Sequence, residues 1–472
     1  MNEHITAAPG AAANSVPADS GWWGEFRATF TLAWPLIIAQ MAGTALTMTD
    51  VIMLGWLGPT YLAAGTLATT FIMPFLVGAM GIVGAVAPLV AQARGARDIK
   101  AVRRIVRQGC WAAIILAACL IPILWQIRPI FALLGQDADL ALMAEEFVHI
   151  AVWMFFPALG LVAFRSLLSA YANTRIILLV TVSGVIFNAA VNYALIFGNF
   201  GFPRLELRGA ALATVLTNVL MFTALAAYVL RHRRYRRFHL LVRFWKPDWS
   251  RFKQIFRIGT PIGLTILSEV GLFTAAALLM GQLGTDEVAA HAIALQCASM
   301  AFMVPLGLGT AATVRVGLAY GRNDPQGIHR AGWTAFALGT GFMALSCIVF
   351  LTLAPFIVRL FLDPSHAENA NALALAASFL MVAGVFQLVD GAQVVAAHSL
   401  RGLSDTKIPM LLAFAGYWAV GLPIAYVLGF MLDWRGIGIW TGLAAGLAFV
   451  AVVLVTRLAL RERIGLVRRA HE

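Results

Sequence analysis

One recurrence constrains this chain more than any other feature. Twelve times between residues 29 and 460 an apolar run of about 20 residues or more appears, enough at about 1.5 Å per residue to cross roughly 30 Å of hydrocarbon. The runs lie at about 29–54, 62–92, 106–127, 145–164, 176–198 and 209–230, then at about 255–281, 288–318, 332–361, 371–398, 408–430 and 436–460. Lipid offers backbone N–H and C=O groups no partner, so each run must satisfy them internally as a helix. Composition agrees: 61% of residues are hydrophobic and 12% charged, about half the charge of a soluble domain. The expectation is an all-α polytopic membrane protein. A cytosolic enzyme, a secreted disulfide scaffold and a disordered chain are excluded. Cys110, Cys119, Cys297 and Cys347 fall inside apolar runs without CxxC spacing and read as small core residues.

A net charge of +12 would suggest nucleic acid in a soluble protein, but here the charge is segregated. With a cytoplasmic N-terminus, 29 of the 34 Lys and Arg fall in the loops and flanks of that side. The positive-inside rule therefore puts both termini in the cytoplasm and makes lipid headgroups, not nucleic acid, the partner of the basic residues. Residues 1–28 read as a polar disordered tail, 29–230 as a first lobe of six spans, and 231–254 as a basic cytoplasmic linker. Residues 255–472 form a second lobe of six spans ending in a short basic tail.

The two halves are related. At an offset of 226, Pro35 meets Pro261, Gly55 meets Gly281, and Leu57-Gly58 meets Leu283-Gly284. Gly81, Gly95 and Asp98 meet Gly307, Gly321 and Asp324 at the same offset, and LSAYANTR from Leu168 echoes LRGLSDTK from Leu400 at 232. Shared apolar composition produces Ala and Leu matches; it does not hold prolines, glycines and an aspartate in one register. Six spans per repeat is an even number, so both halves enter from the same side and their pseudo-two-fold axis lies along the membrane normal. Such repeats commonly frame a pathway that opens alternately to either side, and transport is the function they suggest.

Three acids lie deep in apolar runs: Asp50, Glu269 and Asp390. An ionisable group at that depth costs about 3 kcal/mol even on insertion scales, so it faces a protein interior or a wet cavity. Asn188 and Asn192 are spaced i, i+4, which puts both amides on one helical face. With a carboxylate such as Asp50 they suit Na⁺ or a protonatable acid; as a pair they equally suit a helix–helix hydrogen bond. Pro35 and Pro261 precede Asp50 and Glu269 on equivalent spans and are candidate bends. His149, His291 and His398 stand alone without metal-ligand spacing, and no phosphate-binding GxxxxGK[ST] loop is present. No catalytic residues, resident metal or cofactor are expected, and the driving force is an ion gradient or a separate partner.

WPLIIAQMAGTALTMTDVIMLGWLG, GAVAPLVAQARGARD, FNAAVNYALIFG, VDGAQVV and LRGLSDTKIP together resemble the multidrug and toxic compound extrusion (MATE) transporters, over nearly the whole chain after residue 28. Acids at all three of Asp50, Glu269 and Asp390 resemble the NorM-type branch, bacterial drug/cation antiporters of the inner membrane. The resemblance implies two pseudo-two-fold-related six-helix lobes around a cavity. It also implies export of small-molecule drugs or toxic organic cations by a monomer, in exchange for Na⁺ or H⁺. By position Asp50, Asn188, Asn192 and Thr214 match the first-lobe ion site, Glu269 and Asp390 the acidic pair of the second, and Pro35 a proline linked to site rearrangement. Some relatives carry a carboxylate where Asn192 stands, which lowers the charge available here. The competing expectations are a lipid-linked oligosaccharide flippase of the same superfamily, whose cavity is more basic, and an integral membrane lipid-modifying enzyme.

Overall fold

The structure, a computed structural model, describes residues 21–133, 135, 137–236, 238–240, 242, 244–362, 366 and 369–467. Among these residues twelve helices are long and apolar enough to span a membrane. The first six are α1 (Gly21–Leu57), α2 (Pro59–Gly95), α3 (Ile99–Trp125), α4 (Ala138–Ala170), α5 (Thr174–Phe197) and α6 (Glu206–Arg231). The second six are α7 (Trp249–Leu283), α8 (Thr285–Gly321), α9 (Pro325–Val358), α10 (Ala370–Gly402), α11 (Lys407–Met431) and α12 (Arg435–Ala459).

Each helix overlies its apolar run; α3, α5, α9 and α12 end slightly short of it, and several others extend well beyond it. α1 starts eight residues before the expected span, so residues 21–28 are helical where the sequence suggested a tail. The extension is held from outside itself: Glu25 is buried and paired with Arg315, and Thr29 Oγ1 donates to Glu25 Oε1 at 3.3 Å. Apolarity alone could not reveal that anchor. The remainder of the expected tail, residues 1–20, lies outside the described residues. α11 departs from α-geometry at Ala415–Gly421 and Val427–Met431, which are π-helical. Gly416, Gly421 and Gly429 there lie against Gly446, Gly442 and Arg435 of α12; a Cβ on Gly416 would stand 2.3 Å from Val450 Cγ2, and at the other two the fit would be tight.

The internal repeat has a physical content. Gly58 and Gly284 turn the chain between α1 and α2 and between α7 and α8 with φ of 142° and 146°, a region open to glycine. Asp98 and Asp324 cap α3 and α9: Asp98 Oδ1 accepts from the Ala101 N–H at 2.9 Å, and Asp324 Oδ1 from the Gly327 N–H at 2.7 Å. Arg97 and Asn323 just before them share a left-handed backbone, φ 58° and 55°. The repeat glycines make the seam between lobes. A Cβ on Gly81 would stand 2.7 Å from Gly263 Cα, and one on Gly307 would stand 2.9 Å from Ile37 Cα, the pseudo-symmetric contact. Gly95 and Gly321 face each other directly.

Closure is confined to the half of the molecule that carries both termini of the bundle. Glu25 at the start of α1 grips Arg315 near the end of α8 with two hydrogen bonds of 2.7 and 2.5 Å. Gln92 Nε2, near the end of α2, donates to Gly402 O and Ser404 Oγ, both at 2.8 Å. Along α1 the buried residues run from Glu25 to Ala39, with only Leu54 beyond. The lobes therefore part toward the opposite end.

The basic connector is less free than its charge suggested. Tyr235 and Phe238 are buried, and Asn173 Nδ2 donates to the hydroxyls of Tyr228 and Tyr235 at 2.9 and 3.2 Å. Trp111 Nε1 donates to Phe244 O at 3.0 Å, while Arg231, Arg233 and Arg236 are exposed. Aromatic residues between the arginines fasten the segment to the first lobe and leave the charges outside.

Candidate functional site

In the first lobe α1, α5 and α6 converge on Asp50. Asn192 Nδ2 donates to Asp50 Oδ1 at 2.5 Å and to Asn188 Oδ1 at 3.1 Å. Thr214 Oγ1 donates to Asp50 Oδ2 at 3.1 Å. The i, i+4 spacing thus stacks the two amides as expected, and the four residues form one cluster. Both asparagines are fully buried, yet Asn192 Oδ1 and Asn188 Nδ2 have no partner. Buried amide atoms are rarely left unpaired, so this cluster has an acceptor to spare. Asp50 lies on the wall of a cavity of about 430 Å³ within the lobe, beside Gln40, Thr47, Thr66 and Thr69.

The second lobe places Glu269 on α7 and Asp390 on α10 along a larger cleft of about 850 Å³ between the lobes. Asp390 is buried, and its Oδ1 has no hydrogen-bond partner. Of the two glutamines flanking it in sequence, Gln387 is structural: Oε1 accepts from Ser346 Oγ at 2.6 Å, and Nε2 donates to Ala298 O at 3.4 Å. Gln393 donates through Nε2 to the Tyr417 hydroxyl, and its Oε1 is unpaired. Glu269, Gln393, Tyr417 and Arg401 together line a small void of about 30 Å³ at the edge of the cleft. Pro35 and Pro261 are buried inside α1 and α7, close to the seam glycines.

Two cations escaped the sequence reading. Arg401 and Arg165 sit near helix ends, so both counted as flank charges that orient the chain; in the structure both line the inter-lobe cleft. Arg401 Nη1 lies 3.1 Å from His398 Nε2, and Thr313 Oγ1 donates to His398 O at 2.8 Å. His398 is therefore held in a polar chain at the cleft. His149 stacks on Trp125 at 4.2 Å, and His291 is buried with neither ring nitrogen paired.

The MatE family profile matches residues 35–194 and 261–427, one stretch in each lobe. The chain belongs to the MatE family. It is 47% identical over 438 residues to a probable multidrug resistance protein NorM of Brucella suis, covering 92% of this chain and 93% of that one. A probable multidrug resistance protein NorM of Mesorhizobium japonicum is 45% identical, with 94% and 95% covered. These relatives agree with the NorM-type branch suggested by the three acids. Among solved structures, the MATE transporter VcmN of Vibrio cholerae superposes with a TM-score of 0.85 at 17% identity, over 94% of this chain and 98% of that one. The eukaryotic MATE transporter AtDTX14 superposes with a TM-score of 0.83 at 22% identity, over 94% and 100%. At those identities the likeness establishes the MATE fold alone. A MatE protein is a multi-pass membrane transporter and not an enzyme.

Proposed function

We propose that this MatE protein is a secondary active multidrug exporter of a bacterial inner membrane, moving amphipathic and cationic compounds outward in exchange for Na⁺ or H⁺. The observation that carries the proposal is Asp390, a buried carboxylate with a free oxygen on the wall of a cleft of about 850 Å³, a volume suited to a drug-sized ligand. A carboxylate in a low-dielectric cleft needs either a proton or a cation beside it, so ion and cationic drug compete for the same charge and binding of one expels the other. Net antiport follows when the two conformations differ in which of them they favour.

Asp50, Asn188, Asn192 and Thr214 form a coupling-ion site in this proposal, and the spare Asn192 carbonyl supplies a ligand for Na⁺ when the amide turns. Glu269 and Asp390 form the second site, and Pro35 and Pro261 let α1 and α7 bend as the seam rearranges. In this proposal the closed half, with both termini, faces the cytoplasm, which the charge bias supports, and the cleft opens outward. Each chain carries both lobes and the whole cleft, which suits a monomer. The test is counterflow of a fluorescent organic cation in proteoliposomes, with Na⁺ and H⁺ gradients imposed separately. Stimulation by one gradient, opposed in direction to the dye, supports antiport and names the ion. Dye movement that ignores both gradients refutes it.

A further inference from the structure

The charges around the inter-lobe cleft are not all acidic, and they are not evenly spread. On the second-lobe wall Glu269, Asp390 and Arg401 leave one formal negative charge. On the first-lobe wall stands Arg165 of α4, half-buried, where the cleft adjoins the Asp50 cavity; it lines both. Among the described residues its guanidinium makes no hydrogen bond and no ion pair, and no carboxylate stands beside it. Other arginines on the closed half do have partners: Arg315 grips Glu25, Arg94 donates to Ala170 O, and Arg401 meets His398.

An unpaired guanidinium held away from bulk water is costly unless something arrives to pair with it. Its planar fork matches a carboxylate in a two-point contact, which a lysine would not reproduce. A purely cationic compound would be repelled from this wall while being attracted to the other. Along the helices, Arg165 is five residues from the closed end of α4 and Asp390 twelve residues from the closed end of α10. That is an axial offset of about 10 Å at 1.5 Å per residue, with Arg165 nearer the closed end.

We infer that Arg165 is a specificity-determining residue that recognises an anionic group of the transported compound, across the cleft from Asp390 and Glu269. The inference rests on the export reading and names a residue that sets which compounds the cleft accepts. The test uses two probes that differ only in this charge: a rhodamine bearing a free carboxylate and its methyl ester, which keeps the cation. Half-saturation of counterflow is measured for the full chain in proteoliposomes. Wild type half-saturates with the free acid at a concentration no higher than with the ester; a tenfold preference for the ester overturns the inference. Arg165→Met raises half-saturation for the free acid about tenfold or more and changes the ester by less than about twofold. Arg165→Lys keeps the charge but not the fork and falls between, again for the free acid alone. Equal effects of Arg165→Met on both dyes, or no effect on either, overturn the inference and leave export standing. If wild type moves neither dye under any gradient, the export reading fails and this one with it. Should Arg165→Met not reach the membrane, the wild-type comparison and Arg165→Lys decide the question.

Discussion

Gly321→Ala tests whether the seam is the gate. A Cβ at this position would lie 2.0 Å from Gln92 O and 2.8 Å from Gln92 C, backbone atoms of the opposite lobe. Ordinary contact begins at 3.4 Å, so α2 and α8 must separate by about 1.4 Å at their ends. Neither atom belongs to a flexible side chain, and Gln92 is also tied to Gly402 and Ser404 through its own amide. Overpacking of this kind costs about 1–3 kcal/mol, borne by the closed arrangement and not by one in which this half has opened. The equilibrium should shift by about 5- to 150-fold toward opening on that side. The assay is double electron–electron resonance between spin labels at Lys100 and Gln326, exposed residues at the terminal face of the two lobes, in a background with the four native cysteines replaced. Gly341→Ala is the control, because a Cβ there meets nothing within 4 Å. A longer-distance population should grow in Gly321→Ala and not in Gly341→Ala. Identical distance distributions in both would refute the steric argument.

Further outcomes follow from the polar contacts. Asp50→Asn should abolish export while membrane abundance stays near wild type, because it removes a half-buried charge without removing volume; retained export would make Asp50 structural. Glu269→Gln and Asp390→Asn should each impair counterflow, with the double variant little worse than either, whereas losses that add would show two separate sites. Glu25→Gln strands Arg315 in a buried position and should cut export severalfold while raising thiol accessibility at the terminal face. The exchange Glu25→Arg with Arg315→Glu should recover much of that loss, and no recovery would mean that the bond is not what holds the face shut. Gly58→Ala and Gly284→Ala force a side chain to φ near 142° and 146° and should each lower the thermal midpoint, by about 1–3 kcal/mol of strain. An unchanged midpoint in both would mean that the turns relax freely.

The twelve spans were legible because each carries its own signal, the need for a backbone in lipid to bond to itself. Ends were harder. α1 runs past its apolar stretch on a contact with another part of the molecule, Glu25 with Arg315, and α7 on a local cap, Asp248 Oδ1 accepting from the Arg251 N–H. Asp50, Glu269 and Asp390 stood out because a charge in an apolar run is conspicuous. Arg165 and Arg401 did not, since an arginine within a turn or so of a helix end is ordinarily a snorkelling residue, and nothing in the chain says that the side chain turns inward. The π-helical turns of α11 were not read either; Pro423 lies between them and their glycines pack against α12.

The repeat treats scaffold and charge differently, and that difference says what each is for. Pro35, Gly58, Gly81, Gly95 and Asp98 recur in the second half, since both lobes need the same bend, turn, close approach and cap. The charged residues of the cleft and the candidate ion sites do not recur. At an offset of 226, Asp50 meets Ala276 and Glu269 meets Gly43; at 232, Asp390 meets Ala158, Arg165 meets Ala397 and Arg401 meets Ser169. A cleft with the same charges on both walls would present the same field to a ligand in either of two orientations, and identical sites in both lobes would not separate ion from drug. Duplication supplied two lobes that meet along a glycine seam. The asymmetry of Asp50 on one side, and of Glu269, Asp390 and Arg401 opposite Arg165 on the other, gives that common frame a direction.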